Sequence, residues 1–183
     1  MLVKLTAKSN LDSDRENDPV AMLLACHRRI RDHLALAKRV VDAIEPTSEE
    51  VVEAAASLIR YFGQALPLHI LDEDETLRDA LRGRDLAPEV LRAMATMTAE
   101  HAVIEPAIHE ALGQWRQLTE QPLLLSTLRE DLGRLTLLLS TLLDAHLEAE
   151  ERLIFPAVAK ALTAEERAEL ARLMRQRRQA GAS

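Results

Sequence analysis

Apolar and polar residues alternate with a helical period along almost the whole chain. Leucine, isoleucine and valine recur three or four residues apart, which places them on one face of an α-helix. Short breaks with proline or glycine separate five such stretches. The pattern predicts a first helix over about 19–44 and a second that runs from a capping box at 47–50 to 81. The third begins at the end of the 83–88 loop and ends at 119, and the fourth begins at the turn at 121–122 and ends at 162. The fifth runs from a second capping box at 163–166 to 178.

Short connections between long helices favour antiparallel neighbours. The sequence therefore predicts an all-α fold: an up-down-up-down antiparallel four-helix bundle with a short C-terminal fifth helix, within a domain spanning residues 19–183. Residues 1–18 are largely polar and are expected to form a flexible leader. Pro67 lies inside the second helix and is expected to kink it.

Each of the four long helices carries one histidine on its predicted inner face. His69 and His101 each lie sixteen residues from Asp85 in the intervening loop and should be level along the bundle, whereas His27 and His146 match less well, by one or two turns. The inner stripe of the third helix is predicted as Leu91, Met94, Thr98, His101, Glu105, Ile108, Leu112 and Trp115, and that of the fourth as Leu135, Leu139, Leu142, His146, Glu150, Leu153 and Ala157.

Two of these histidines are followed one helical turn later by an acid, in His69-x-x-x-Glu73 and His146-x-x-x-Glu150. Residues four apart share a helix face, so each pair can direct an imidazole and a carboxylate to one point. A buried carboxylate needs a cation or a proton. Together with the histidines of the first and third helices, these pairs predict a dinuclear metal site in the bundle core.

The other histidines, the cysteine and one further acid are weaker candidates for metal ligands. His33 lies six residues after His27 and should face away from the site, while His109 is too far along the third helix and is expected at the surface. Cys26 is interpreted as a small buried hydrophobe. Glu105, one turn after His101, remains open as an additional ligand.

The charged residues around the motifs are expected to be solvated. Asp72, Asp74, Glu75, Glu148 and Glu151 are assigned to charged outer helix faces, and Arg172, Arg175, Arg177 and Arg178 to an exposed helix end.

Composition narrows the class of protein. The chain is 48% hydrophobic and only 2% aromatic, which favours helices over strands, and its net charge of −7 argues against a nucleic-acid partner. One cysteine allows no intramolecular disulfide and fits a reducing, cytoplasmic location. The most apolar run, 135–143, is short of the ~20 residues of a membrane span, and no signal peptide is evident, so a soluble protein without a membrane partner is expected.

The donor set narrows the choice of metal. Four imidazoles and two or three carboxylates exceed what one tetrahedral zinc ion needs, and mixed nitrogen and oxygen donors suit iron or manganese. Ferritin-like di-iron bundles use Glu-x-x-His, but here Leu24, Leu66, Thr98 and Leu143 precede the histidines by three residues. No Cys-x-x-Cys-His motif is present for covalent haem.

At this point the sequence resembles the haemerythrin-like (HHE cation-binding) family. The resemblance covers roughly residues 20 to 178 and is carried by His27-Arg-Arg-Ile-Arg, Leu68-His69-Ile-Leu-Asp-Glu73, Glu100-His101 and His146-Leu-Glu-Ala-Glu150-Glu-Arg-Leu-Ile-Phe-Pro156. It implies two non-haem iron ions with an oxo or hydroxo bridge, manganese or zinc being alternatives. It also implies that His27, His69, His101 and His146 are terminal ligands and that Glu73 and Glu150 are bridging ligands.

Two departures from the oxygen-carrying members bear on function. Those proteins have a second histidine one turn after the third-helix ligand, where this chain has Glu105, and an aspartate at the fifth position after the last histidine, where this chain has Glu150 at the fourth. More carboxylate stabilises ferric iron, so reaction with a small oxidant (oxygen, peroxide or nitric oxide) is favoured over simple oxygen storage. The alternatives are a non-enzymatic iron or oxygen sensor or iron-delivery protein with a protein partner, and a metal-free helical interaction module.

Overall fold

The structure, a computed structural model, describes residues 17–180, and these form helices and turns without any strand. Residues 1–16 of the predicted leader and residues 181–183 lie outside the described residues. The helices are α1 (Pro19–Asp42), α2 (Ser48–Arg60), α3 (Leu66–Leu71), α4 (Arg78–Leu81), α5 (Pro88–Glu120), α6 (Leu125–Ala149), α7 (Phe155–Ala161) and α8 (Ala164–Ala180).

Three π-helical turns join some of these helices end to end. The turns Tyr61–Ala65 and Asp72–Leu77 make α2–α4 one long helix, and the turn Glu150–Ile154 joins α6 to α7. Two of the turns come just before Pro67 and Pro156. A π turn widens the backbone where a proline ring would otherwise clash with the carbonyl four residues earlier. The irregularity predicted at Pro67 is therefore a π turn.

Side-chain caps fix where several helices begin. The Asp18 carboxylate accepts a hydrogen bond from a backbone N–H of the first turn of α1, at 3.1 Å. Thr47 and Glu50 form a reciprocal capping box at α2, and Thr163 and Glu166 do the same at α8. Both boxes expected from the sequence are present, because a capping box depends only on residues close together in the chain.

The long helices pack side by side as a bundle. Helix α1 contacts α2 and α6, α2 contacts α5, and α5 contacts α6, so each long helix has two neighbours. Helix α8 packs against α1 and the Asp72–Leu77 turn. The predicted all-helical bundle is confirmed.

No helix within residues 17–180 combines the length and the hydrophobicity that crossing a bilayer requires.

The apolar core is divided along the bundle into two clusters. Each long helix contributes to both, so polar side chains on these helices lie between two apolar layers. The first cluster contains Ile30, Leu66, Ile104 and Leu147, and the second contains Leu23, Leu77, Met97 and Ile154.

Two predicted stripes differ from the observed ones. On α5 the buried residues include Val90, Met97 and Ile104, whereas Leu91 is 53% exposed. This helix has adjacent apolar pairs such as Val90 and Leu91, so periodicity fits two neighbouring registers, and the sequence interpretation took the wrong one before His101. From that residue on, His101, Ile108, Leu112 and Trp115 are buried as predicted. Beyond Glu150 the core residue is Ile154 instead of the predicted Leu153, because the π turn adds a residue to the helical turn.

The C-terminal helix is tied to the second long helix by a buried ion pair. The Asp72 carboxylate is fully buried; Arg178 forms an ion pair with it at 2.6 Å, and Arg177 donates hydrogen bonds both to it and to Thr76. Burial raises the pKa of Asp72, an effect that the two guanidinium groups oppose. The prediction that these three charged groups were solvated was wrong, since a helical period cannot show a partner 105 residues away.

We expect the double variant Arg177→Ala/Arg178→Ala to lower the free energy of unfolding by about 2–3 kcal/mol at neutral pH, because it leaves a buried carboxylate unpaired. The loss should shrink at acidic pH, because burial raises the pKa of Asp72 and protonation then removes the unpaired charge. Urea unfolding measures both. The matched control is Arg172→Ala, which removes an exposed pair with Glu169 and should change stability by less than about 0.5 kcal/mol. Equal effects of the two variants would contradict the buried pair.

Candidate metal centre

Six imidazole and carboxylate side chains meet in the polar layer between the two apolar clusters. All are buried, with at most 4% of each residue exposed. They are His27 on α1, His69 on α3, Glu73 in the Asp72–Leu77 π turn, His101 on α5, His146 at the end of α6 and Glu150 at the start of the Glu150–Ile154 π turn.

The six side chains form two overlapping groups of four donors. Within each group the donor atoms all lie within 4.8 Å of one another. Both groups contain the same two glutamates and differ only in their histidines. One group is His27, His69, Glu73 and Glu150; the other is His101, His146, Glu73 and Glu150.

The two oxygens of Glu73 face different histidines. Oε1 lies 3.2 Å from His69 Nε2 and 3.7 Å from His27 Nε2. Oε2 lies 3.5 Å from His101 Nε2. The carboxylate therefore offers one oxygen to each histidine pair, and His69 and His101 lie on either side of it.

Glu150 is arranged in the same way. Its Oε2 lies 3.2 Å from His27 Nε2, and its Oε1 lies 3.2 Å from His146 Nε2. These two histidines flank one carboxylate although helix ends estimated from sequence placed them one or two turns apart. Two carboxylates that each span two histidine pairs are the arrangement needed to bridge two cations.

An outer set of carboxylates orients three of the four rings. Each accepts a hydrogen bond from a histidine Nδ1: Glu151 from His27 at 2.9 Å, Asp74 from His101 at 2.8 Å, and Glu100 from His146 at 2.8 Å. An ionised carboxylate only accepts, so the ring proton lies on Nδ1 and the Nε2 lone pair points to the centre.

The sequence interpretation missed this outer set. It assigned Asp74 and Glu151 to plain outer faces and did not select Glu100. Each directly adjoins a central donor in sequence, and that adjacency at the edge of the inner face was the available signal. Glu75 and Glu148 are exposed as predicted, although Glu75 also pairs with Arg177 at 3.1 Å.

The inner atoms lack partners of their own. Within the described residues, His27 Nε2, His69 Nε2 and all four oxygens of Glu73 and Glu150 are buried without a hydrogen bond. Such atoms are costly to bury. In addition, His101 Nε2 and His146 Nε2 lie 3.1 Å apart, and with the proton on each Nδ1 this brings two lone pairs face to face. Bound cations satisfy all of these atoms, so the residues fit a metal centre.

The two glutamates have opposite proton affinities. Burial, reinforced by the charge of Glu150, raises the pKa of Glu73 well above its usual value. Burial also acts to raise the pKa of Glu150, but the neighbouring rings of His146 and His27 outweigh it and lower that pKa to about 2. Without cations, these surroundings favour a proton on Glu73 and a charge on Glu150. Positive ions would let both carboxylates ionise.

Burial and the neighbouring charged groups also shift the pKa values of two histidines. Burial, followed by the nearby His27, lowers the pKa of His69 to about 3, so its ring is neutral. Burial also acts to lower the pKa of His146, but Glu150 and Glu100 outweigh this and raise it. Neutral imidazole and ionised carboxylate are the forms that bind metals, so cation binding would release the protons that the raised pKa values of Glu73 and His146 favour.

The remaining predicted candidates lie away from the centre. His33 stacks on Tyr61 with ring centroids 3.9 Å apart, and His109 is exposed, as predicted for both. Glu105 is exposed and belongs to neither donor group, so the structure does not support it as a ligand. Cys26 is buried as expected, but its sulfur also accepts a contact from Arg29 at 3.1 Å.

The chain belongs to the hemerythrin HHE cation-binding domain family. The profile of that family matches residues 18–157, which include all six central donors. The match ends within α7, after its first three residues, and leaves α8 outside. Neither a curated protein nor a solved structure shows significant similarity to the chain.

We expect Glu73→Gln to act in opposite directions with and without metal. It should abolish binding of the second cation, because an amide cannot bridge as an anionic carboxylate does. In metal-free protein it should raise the free energy of unfolding by about 1–3 kcal/mol, because it removes a buried ionisable group. Metal analysis and urea unfolding measure the two effects. Glu105→Gln is the exposed control. A Glu73→Gln protein that keeps two cations would contradict the bridging role.

We expect Glu151→Gln to weaken cation binding about 10–100-fold, because His27 loses the carboxylate that fixes its ring. A competition titration with a chelator measures this. Glu148→Gln, an exposed acid one turn earlier in sequence on the same helical segment, serves as the control and should bind as tightly as the wild type. Equal affinities for all three proteins would show that the outer hydrogen bond has no part in binding.

Proposed function

We propose that the protein binds two non-haem iron ions, joined by an oxo or hydroxo bridge, and reacts with or binds a small oxidant such as oxygen, peroxide or nitric oxide. The proposal places the ions in a four-helix bundle that runs up-down-up-down and in a cytoplasmic protein with a single cysteine. His27 and His69 would hold one ion, His101 and His146 the other, and Glu73 and Glu150 would bridge them.

One observation carries this proposal: both donor groups share the same two buried carboxylates, each with one oxygen toward each histidine pair. A mononuclear site needs one such group and does not explain the second. Membership of a cation-binding family supports the same conclusion.

The choice of iron follows from the donors. Each group offers two imidazole nitrogens and two carboxylate oxygens, and such mixed, oxygen-rich sites suit iron and manganese. Four donors would also suit tetrahedral zinc, which is the main alternative. Iron supplies one-electron redox chemistry and positions for small ligands, neither of which these side chains provide themselves.

The protein residues prepare that chemistry in three ways. Asp74, Glu100 and Glu151 hold protons on Nδ1 and leave Nε2 of three histidines free to bind. The two apolar clusters above and below exclude water from the layer. The bridging carboxylates supply negative charge that stabilises the higher oxidation state of a bound metal.

The test is anaerobic reconstitution with iron(II), metal analysis and absorption spectroscopy after oxidation. We expect two equivalents of iron per chain and the near-ultraviolet bands of a bridged pair. His33→Ala should retain both ions and Glu73→Ala should lose them. Less than one equivalent in the wild type, or equal retention in the two variants, would overturn the proposal. Stopped-flow mixing of the reduced protein with oxygen or peroxide then tests reactivity.

A sensor or iron-delivery role is the second candidate, favoured by the contact between α8 and the metal layer. Asp72, which pairs with Arg177 and Arg178, directly precedes the bridging Glu73. Loss of metal would therefore disturb the turn to which α8 is attached, and α8 is the element that could pass this change to a partner. If chelation exposes α8 to limited proteolysis and stopped-flow mixing shows no turnover, this second role is supported; if α8 stays protected, it fails.

A further inference from the structure

A pocket opens from the protein surface onto one side of the metal centre. It has a volume of about 290 Å³ and lies between α5 and the junction of α6 with the Glu150–Ile154 π turn. Two of the six central donors, His146 and Glu150, form part of its lining. Other cavities of comparable size, one beside Leu36 and one beside Phe62, are lined by none of the six.

The opposite side of the centre is covered. His27 is fully buried, the ring of Phe155 lies 5.1 Å from its own, and Glu151 and Arg31 meet at its Nδ1 side. Helix α8 packs across the neighbouring Asp72–Leu77 turn. The two histidine pairs are therefore unequal: one adjoins a surface pocket and the other is enclosed.

The side near the pocket also has room for an added ligand. Glu105, the position one turn beyond His101, is exposed and contributes no donor. With two imidazoles, the two shared carboxylates and the proposed oxo or hydroxo bridge, an iron on the His101–His146 side would have five donors, so one position of six-coordinate iron would stay open. The same count holds for the His27–His69 side, and the adjoining pocket is what distinguishes the two.

We propose that small ligands enter through this pocket and bind on the His101–His146 side of the centre, while the His27–His69 side is sealed. The inference rests on the dinuclear centre proposed above. Met97 and Ile154 make part of the wall apolar, and Arg92 and Glu100 lie at the pocket as charged groups. A cavity of this size has room for oxygen, peroxide or a triatomic anion such as azide.

Two substitutions on α5 test the route symmetrically about His101. Ala93, eight residues before it, lines the pocket; His109, eight residues after it, lines the cavity beside Phe62. We expect Ala93→Phe to slow the binding of azide to the oxidised di-iron protein by at least about tenfold, with two irons retained, because the ring fills the route. His109→Phe should stay within about twofold of the wild type. Stopped-flow absorption gives the rates and metal analysis gives the iron content.

A second pocket variant can be used if the first is unstable. If Ala93→Phe does not fold or loses iron, Thr96→Trp, at an exposed position in the lining, takes its place with the same expected slowing. In addition, Arg92→Gln should slow azide association about two- to fivefold at low salt, a difference that disappears at high salt.

The outcomes separate this inference from the proposed function. Unchanged azide rates in an iron-loaded pocket variant, or equal slowing by His109→Phe, would overturn the route while leaving the di-iron centre intact. A wild type that holds less than one equivalent of iron would overturn the proposed function, and the route with it.

Discussion

The structure depends on how two buried carboxylates are neutralised. Glu73 and Glu150 lie at the middle of the bundle, and their oxygens accept no hydrogen bond from any of residues 17–180. Their surroundings make a bare negative charge costly. Four imidazoles converge on the same space, and the outer carboxylates turn the lone pairs of three of them inward. Cations resolve both problems together, since they supply the missing charge and accept the nitrogen donors. The packing above and below this layer is ordinary apolar core, so folding and metal binding should be coupled.

Hydrogen bonds to three outer carboxylates hold histidine rings of the metal layer. Asp74, Glu100 and Glu151 are partly exposed, and each reaches inward to one ring nitrogen. They connect solvent to the buried donors and set which nitrogen holds the proton. His69 differs, because its Nδ1 is buried without a partner within residues 17–180. The four histidines are therefore inequivalent, as are the two sides of the centre, one enclosed beneath Phe155 and one next to a pocket.

Irregular backbone places two of the central donors. Glu73 lies in one π turn and Glu150 begins another, and Pro67 and Pro156 each lie two residues after the end of a π turn. A wider turn shifts the helix face by about one residue. It lets the carboxylates face the centre and lets Ile154 continue the core beyond it. The same shift explains why Leu153 was the wrong core residue, since its selection assumed a regular α-helical period through Glu150.

Local sequence alone determined the helices, both capping boxes, one inner histidine per long helix and the two His-x-x-x-Glu pairs. These depend on residues at most a few positions apart, and helical geometry turns such spacing into a shared face. Tertiary structure decided what depends on distant residues. It put Asp72 beneath Arg177 and Arg178, gave three histidines their outer carboxylates, turned Glu105 outward and opened a pocket beside His146. The helical period of the sequence does not predict these features, because each depends on which helices become neighbours and on how they are rotated against one another.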